Sequence, residues 1–308
     1  MRSILTNEAE PLLFTMAAVY LLRVDTSIES RNQLKIAMVE KFPGYDSINV
    51  LLELERYINT YGAGKRSKTP DLVKLFQHQR STGRKVIYSF QRWNRDYPGL
   101  AVIQHANGKF ARDGNGRLLV FQQLARSASD LPYFITNGST PQGIYSLQGT
   151  AVSRINWIGP TPNLQMIMPF EDSWEKYIHQ PLAPMQDSIS LFRQLLPPSW
   201  RSYSPMMESW NAGKVGRSEI IAHGTTIDPE YYAAKPFYPL TPTMGCLCAR
   251  EQWNVTTGRL LLSEQYGLAS TYNMSPGGNG YLYVINLDDQ QKAVTRNEIE
   301  QWVRSFER

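Results

Sequence analysis

The chain has 308 residues, with 32 Lys+Arg against 27 Asp+Glu and a formal charge of +5. Hydrophobic residues make up 42% and charged residues 19%, enough apolar surface to bury a core, which excludes a wholly disordered or collagen-like chain. Cys246 and Cys248 are the only cysteines, and the one residue between them makes a mutual disulfide awkward, so this is not a disulfide scaffold.

The longest apolar run, Leu12 to Leu22, is about half of the ~20 residues a transmembrane helix needs, so no membrane span is expected. Glu8 and Glu10 precede it where a signal peptide would carry basic residues, and no export signal is read here. Residues 8 to 80 carry helical spacing, as in Leu34 and Met38 or Leu51, Leu54 and Ile58. Pro11 stands near one helix start, and Pro43-Gly44 separates the second helix from the third. Tyr61-Gly62-Ala63-Gly64 ends the third before Thr69-Pro70 opens a fourth. The expectation is a bundle of four short helices making up a helical region over residues 1 to 83.

A basic stripe runs from Lys65 to Arg95, through Arg66, Lys68, Lys74, Arg80, Arg84, Lys85 and Arg92. It could meet nucleic acid, but no helix-turn-helix, RRM or zinc-finger pattern accompanies it. A solvated helix face with a linker is the preferred reading, and nucleic acid is not expected as a partner.

From about residue 84 the pattern turns to β. Val86 to Tyr88, Leu100 to Ile103 and Leu118 to Gln122 are short β-prone runs, with hairpin turns at Asn107-Gly108 and Asp113-Gly114-Asn115-Gly116. Further strands are expected at Gly143 to Leu147, Gln165 to Met168, Ser218 to Ala222, Arg259 to Leu262 and Gly280 to Leu287. Helices are expected at Met185 to Leu196 and Thr295 to Phe306, and Trp174 to Pro181 reads as loop. The fold class is therefore α+β, with helices first and a β-rich domain over residues 84 to 308.

Two segments carry chemistry: Ile221-Ala222-His223-Gly224-Thr225 and Thr243-Met244-Gly245-Cys246-Leu247. A cysteine becomes a competent nucleophile where a nearby base favours its thiolate, and a histidine ending an apolar strand can be that base. Gly245 lets the backbone approach a substrate closely, and the amides around Cys246 could hold an oxyanion. Cys248 reads as an inert core neighbour. It lacks further ligands at sensible spacing, so no metal and no cofactor are expected. His78, His105 and His179 are given no role.

Upstream stands Thr140-Pro141-Gln142-Gly143-Ile144-Tyr145. The order of strand, Gly-rich turn, strand, Thr-Pro-x-Gly, His-Gly-Thr and Thr-x-Gly-Cys resembles the L,D-transpeptidase (YkuD-like) catalytic domain family over about residues 97 to 290. The resemblance implies a β-rich sandwich or mixed sheet in which Cys246 attacks a peptidoglycan stem peptide and His223 is the base. Gly245, Gly224, Thr225 and Thr243 would shape the oxyanion site and pocket, and Tyr232 and Arg250 would be substrate-binding. Three departures are visible: Met244 stands where the family has His, Cys248 where it has Arg or Asn, and the interval from His223 to Cys246 is longer, filled by residues 228 to 239. That insert, rich in aromatics and prolines, reads as a lid or acceptor-side loop.

The implied reaction is acyl transfer: a thioester on Cys246, resolved by an amine to make a cross-link, with carbapenems as possible inhibitors. Resolution by water would make an L,D-carboxypeptidase, and loss of reactivity a non-catalytic wall-binding module. The implied location is the periplasm or cell envelope.

Overall fold

Pro11 sits in the first turn of its helix, where a missing N–H costs nothing, and the Glu10 carboxylate caps the same turn by accepting from Leu13 N. The computed structural model describes residues 2–60, 66–155, 157–183, 185–254 and 256–308. It opens with α1 (Arg2–Asn7), α2 (Pro11–Val24), α3 (Ile28–Lys41) and α4 (Asn49–Thr60). Leu34 and Met38 of α3 and Leu51, Leu54 and Ile58 of α4 meet Phe14, Val19 and Leu22 of α2, as their spacing requires. Leu131, Phe134 and Ile135, from a loop far along the chain, complete this cluster. The Tyr61 to Gly64 stop signal lies outside the described residues.

The fourth expected helix, α5 (Leu72–Thr82), does not join that bundle. It is capped by Asp71 and ended by Gly83 at φ +65. Its Phe76 ring packs edge-on against Tyr88 at 4.9 Å and Phe110 at 5.0 Å, residues of the β region. Local spacing specifies a helix, whereas the surface that buries it is a tertiary choice.

The strands are β1 (Val86–Gln91), β2 (Gly99–Gln104), β3 (Phe121–Leu124), β4 (Gly143–Ala151), β5 (Asn163–Ile167), β6 (Ala222–His223), β7 (Leu247–Ala249), β8 (Glu251–Trp253), β9 (Leu260–Ser263) and β10 (Tyr281–Asn286). Eight of them close a barrel in the order β1-β10-β4-β5-β6-β7-β3-β2, while β8 and β9 form a separate two-stranded sheet. Pairing is antiparallel except between β1 and β10 and between β6 and β7, which are parallel. The molecule is thus α+β, and of the expected sandwich or mixed sheet it has the mixed sheet, closed into a barrel.

The interior is identified by membership. Ile87, Ala101, Phe121, Tyr145, Leu164, Ala222, Leu247 and Leu282, from all eight barrel strands, share one cluster, and only the lumen can gather them. The alternate residues Val86, Tyr88 and Phe90 face outward, under α5 and α10 (Arg296–Glu307).

Several elements differ from expectation. The Trp174 to Pro181 loop contains α6 (Trp174–Ile178), capped by Ser173. The expected Met185 to Leu196 helix is α7 (Ser188–Gln194), and the expected strand at Ser218 to Ala222 shrinks to β6. The strand read at Leu118 to Gln122 is β3, shifted toward the C-terminus. Two helices carry no clear apolar period: α8 (Glu208–Lys214) and α9 (Glu264–Met274), whose Leu268 and Tyr272 reach the lumen cluster.

The first half of the basic stripe is solvated as expected, with Arg66, Lys68, Lys74 and Arg80 exposed, but its second half is not. Lys85 donates to the Tyr272 carbonyl at 3.0 Å. Arg92 is fully buried between Asp288 and Glu298, and Arg95 donates to the Thr140 carbonyl at 3.2 Å. Lys65 lies outside the described residues. These cations tie β1 and its flanks to distant loops because each finds an acceptor there at hydrogen-bond distance.

Candidate active site

Parallel pairing of β6 with β7 sets Ala222 opposite Leu247 and His223 opposite Cys248. Ala222 and Leu247 fill the lumen. Side chains alternate along a strand, so His223 and Cys248 stand on the outer face, and Cys246 immediately precedes β7. The two segments singled out by sequence therefore meet at adjacent strands.

His223 is buried, and its Nδ1 bonds to the Gly224 carbonyl. A carbonyl can only accept, so Nδ1 carries the proton and the neutral ring keeps its lone pair on Nε2. Burial lowers the imidazole pKa, partly offset by the Gly224 carbonyl, which favours that neutral form. Gly224 is required at its position: a Cβ there would fall 2.0 Å from Cδ of Glu251. Glu251 is itself buried and accepts from Thr161, Ser263 and Trp253. Thr225 is structural, its Oγ1 accepting from Ile227 N at 3.2 Å.

Cys246 is half-buried, and its thiol donates to the Glu219 carbonyl at 3.5 Å. Glu219 adopts φ 59, a left-handed conformation uncommon outside glycine. No hydrogen bond joins Cys246 to His223 among the described residues. Burial pushes the thiol up, while the Ile221 N–H and the Arg217 guanidinium pull it down.

The Gly245 amide was expected to serve an oxyanion, but it is already engaged, donating to Thr243 Oγ1 at 3.1 Å. The same hydroxyl donates to the Cys246 carbonyl at 2.7 Å, so Thr243 closes the turn that presents the cysteine. The Cys246 N–H makes no hydrogen bond among the described residues and is the amide left for that role. Gly245 lies at φ +125, and a Cβ there would stand 2.4 Å from Nη2 of Arg217 and 2.8 Å from the Gly138 carbonyl.

Arg217 is the residue that sequence reasoning missed. Its guanidinium donates to the carbonyls of Tyr133, Gly138 and Ser139, and it is the cation that acts on Cys246. A lone arginine before an apolar strand carries no motif, and only the fold sets it beside the thiol. Thr140 of the Thr-Pro-Gln-Gly segment donates to the Gly245 carbonyl at 2.8 Å, so the third motif also joins the site.

Cys248 is fully buried with Leu124, Phe237 and Leu240, and burial raises its pKa to about 12. Tyr232 packs on Phe237 with ring centroids 5.4 Å apart, and Phe237 packs with Cys248, so the 228–239 insert covers the outer face at Cys248. Arg250 is elsewhere: it lines a cleft with Arg117 and Arg296 whose walls include neither His223 nor Cys246. Among the described residues no group of three or more His, Cys, Asp or Glu is placed to hold a metal, and no helix is long and apolar enough to cross a membrane. No family model, no curated protein and no solved structure matches the chain.

Proposed function

We propose that the protein is a cysteine acyltransferase of the L,D-transpeptidase, YkuD-like kind, acting on peptidoglycan stem peptides in the periplasm or cell envelope. The observation that carries this reading is the β6–β7 pairing, which brings the strand holding a neutral His223 beside the one that the half-buried Cys246 immediately precedes. The motif order and the Thr140 to Gly245 hydrogen bond add support.

Substrate entry turns the Cys246 thiol away from the Glu219 carbonyl toward Nε2 of His223, which takes the proton. The thiolate forms an S–C bond to the carbonyl of the third stem residue. The C–N bond then breaks, and the terminal D-alanine leaves with the proton held by His223. The Cys246 N–H donates to the developing oxyanion, a donor typically worth about 3 kcal/mol, while the Arg217 guanidinium, held by the carbonyls of Tyr133, Gly138 and Ser139, acts through its charge. A diaminopimelate amine then forms a C–N bond to the thioester carbonyl and gives its proton to His223; the C–S bond breaks, the proton returns to the Cys246 thiolate, and the cross-link is complete. Tyr232 and the insert around it shield the thioester from water. No cofactor takes part.

One observation favours a second reading, a non-catalytic wall-binding module: the resting thiol is bonded to a carbonyl and raised by burial. Intact mass after incubation with a carbapenem separates the two. A single adduct on wild type, absent in Cys246→Ala and slowed in His223→Ala, supports the enzyme. No adduct on a reduced wild-type thiol overturns it. Muropeptide products then separate transferase from L,D-carboxypeptidase.

A further inference from the structure

Away from the cysteine, an open cleft of about 480 Å³ is walled by Arg117, Arg250 and Arg296 together with Gln122, Glu264 and Asn297. The arginines come from distant parts of the sequence, and each stands on a fixed piece of backbone. Arg117 follows the Asp113 turn, in which the Asp113 carboxylate accepts from the N–H groups of Asn115 and Arg117, both at 2.9 Å. Arg250 joins β7 to β8, and its carbonyl accepts from Glu264 N at 2.9 Å. Arg296 is the first residue of α10, immediately after the capping box of Thr295 and Glu298.

None of the three guanidinium groups has an ion-pair partner within 4.0 Å among the described residues. The acids that α10 offers go to other cations: Glu300 to Arg112 and Arg304, both at 3.1 Å, and Glu307 to Arg112 at 2.6 Å. Glu264 is the one acid in the wall, and its carboxylate accepts from the Gln122 amide. The Nε atoms of Arg250 and Arg296 are shielded from solvent and bond to nothing among the described residues. Buried guanidinium donors are ordinarily satisfied, and the fork geometry of arginine matches carboxylate and phosphate oxygens. Asp113 near Arg117 and Arg296 and Glu264 near Arg250 offset part of this charge without forming ion pairs, and three cations against two acids leave the cleft with a net positive charge.

We propose that this cleft binds a small anion carrying two negative charges, a phosphoryl group or a pair of carboxylates, through Arg117, Arg250 and Arg296. The cleft is preorganised by its three anchors, so binding needs little ordering of the backbone. The proposal does not depend on the chemistry of Cys246.

Isothermal titration calorimetry of the full chain with inorganic phosphate, and separately with succinate, tests it at low ionic strength. Saturable one-to-one binding is expected, weakened at least tenfold in Arg296→Gln and in Arg250→Gln. Arg117 is exposed, so Arg117→Gln leaves the fold intact and is expected to weaken binding as well. Tighter binding of phosphate assigns a phosphoryl ligand, and tighter binding of succinate a dicarboxylate. The proposal is overturned if neither anion saturates at 10-millimolar scale, about the range of a weak anion site. It is equally overturned if Arg117→Gln binds as well as wild type.

Discussion

Thr140 Oγ1 donates to the carbonyl of Gly245 at 2.8 Å, joining the Thr-Pro-Gln-Gly segment to the turn that presents Cys246 across more than a hundred residues of sequence. The bond is buried, so removing the donor strands a carbonyl away from water. Thr140→Val is expected to lose about 1–3 kcal/mol in urea denaturation and to slow carbapenem adduct formation. Thr140→Ser, which keeps the hydroxyl, is expected to recover most of both.

Gly245 has no room for a side chain. Gly245→Ala brings a Cβ to 2.4 Å from Arg217 and forces a φ of +125 on a residue that resists it. A loss of about 1–3 kcal/mol from backbone strain alone is expected, with the clash adding to it. Thermal denaturation checks the stability, and the carbapenem adduct is expected to disappear even at temperatures where the variant stays folded.

Arg217 acts on Cys246 by its charge as well as by its hydrogen bonds. Removing the charge in Arg217→Gln is expected to raise a thiol pKa that burial has already raised. The readout is the pH profile of iodoacetamide alkylation, whose midpoint is expected to move to higher pH. A variant that merely loosened the loop would expose the thiol and move the midpoint the other way.

Glu208 accepts from the backbone N–H of Gln142 at 2.8 Å, and burial raises its pKa to about 7. An acid whose folded pKa lies above its unfolded value contributes stability at low pH that is lost as pH rises through the folded value. Wild type is therefore expected to lose stability between about pH 4.5 and pH 7, by up to about 3 kcal/mol from this group. Glu208→Gln is expected to flatten that slope, as calorimetric Tm values at pH 5 and pH 8 will show.

The local pattern of Leu34, Met38, Leu51, Leu54 and Ile58 was enough to specify helices and the faces they bury, because helical spacing puts those residues on one stripe. The runs at Val86 and Gly280 likewise read as strands. The short elements did not: β6 has two residues and β7 three, too few for alternation to register. Such strands exist because neighbours in the barrel pair with them, which no local window contains. Nor could α9, with Gly267 and a mixed sequence, declare itself; its Leu268 and Tyr272 are buried by the lumen rather than by an apolar period.

At the candidate site the sequence by itself determined which residue types are present and their order: His223 before a glycine, Cys246 after one, and a Thr-Pro-x-Gly segment upstream. It also fixed that Gly245 can take a φ closed to other residues. Only the tertiary structure decided that Thr243 consumes the Gly245 amide, that Arg217 supplies the cation, and that Arg250 belongs to a different cleft. The reason is physical. Residue chemistry and backbone freedom are local properties, while burial, charge proximity and the partner of each hydrogen bond depend on which distant strands the closed barrel brings side by side.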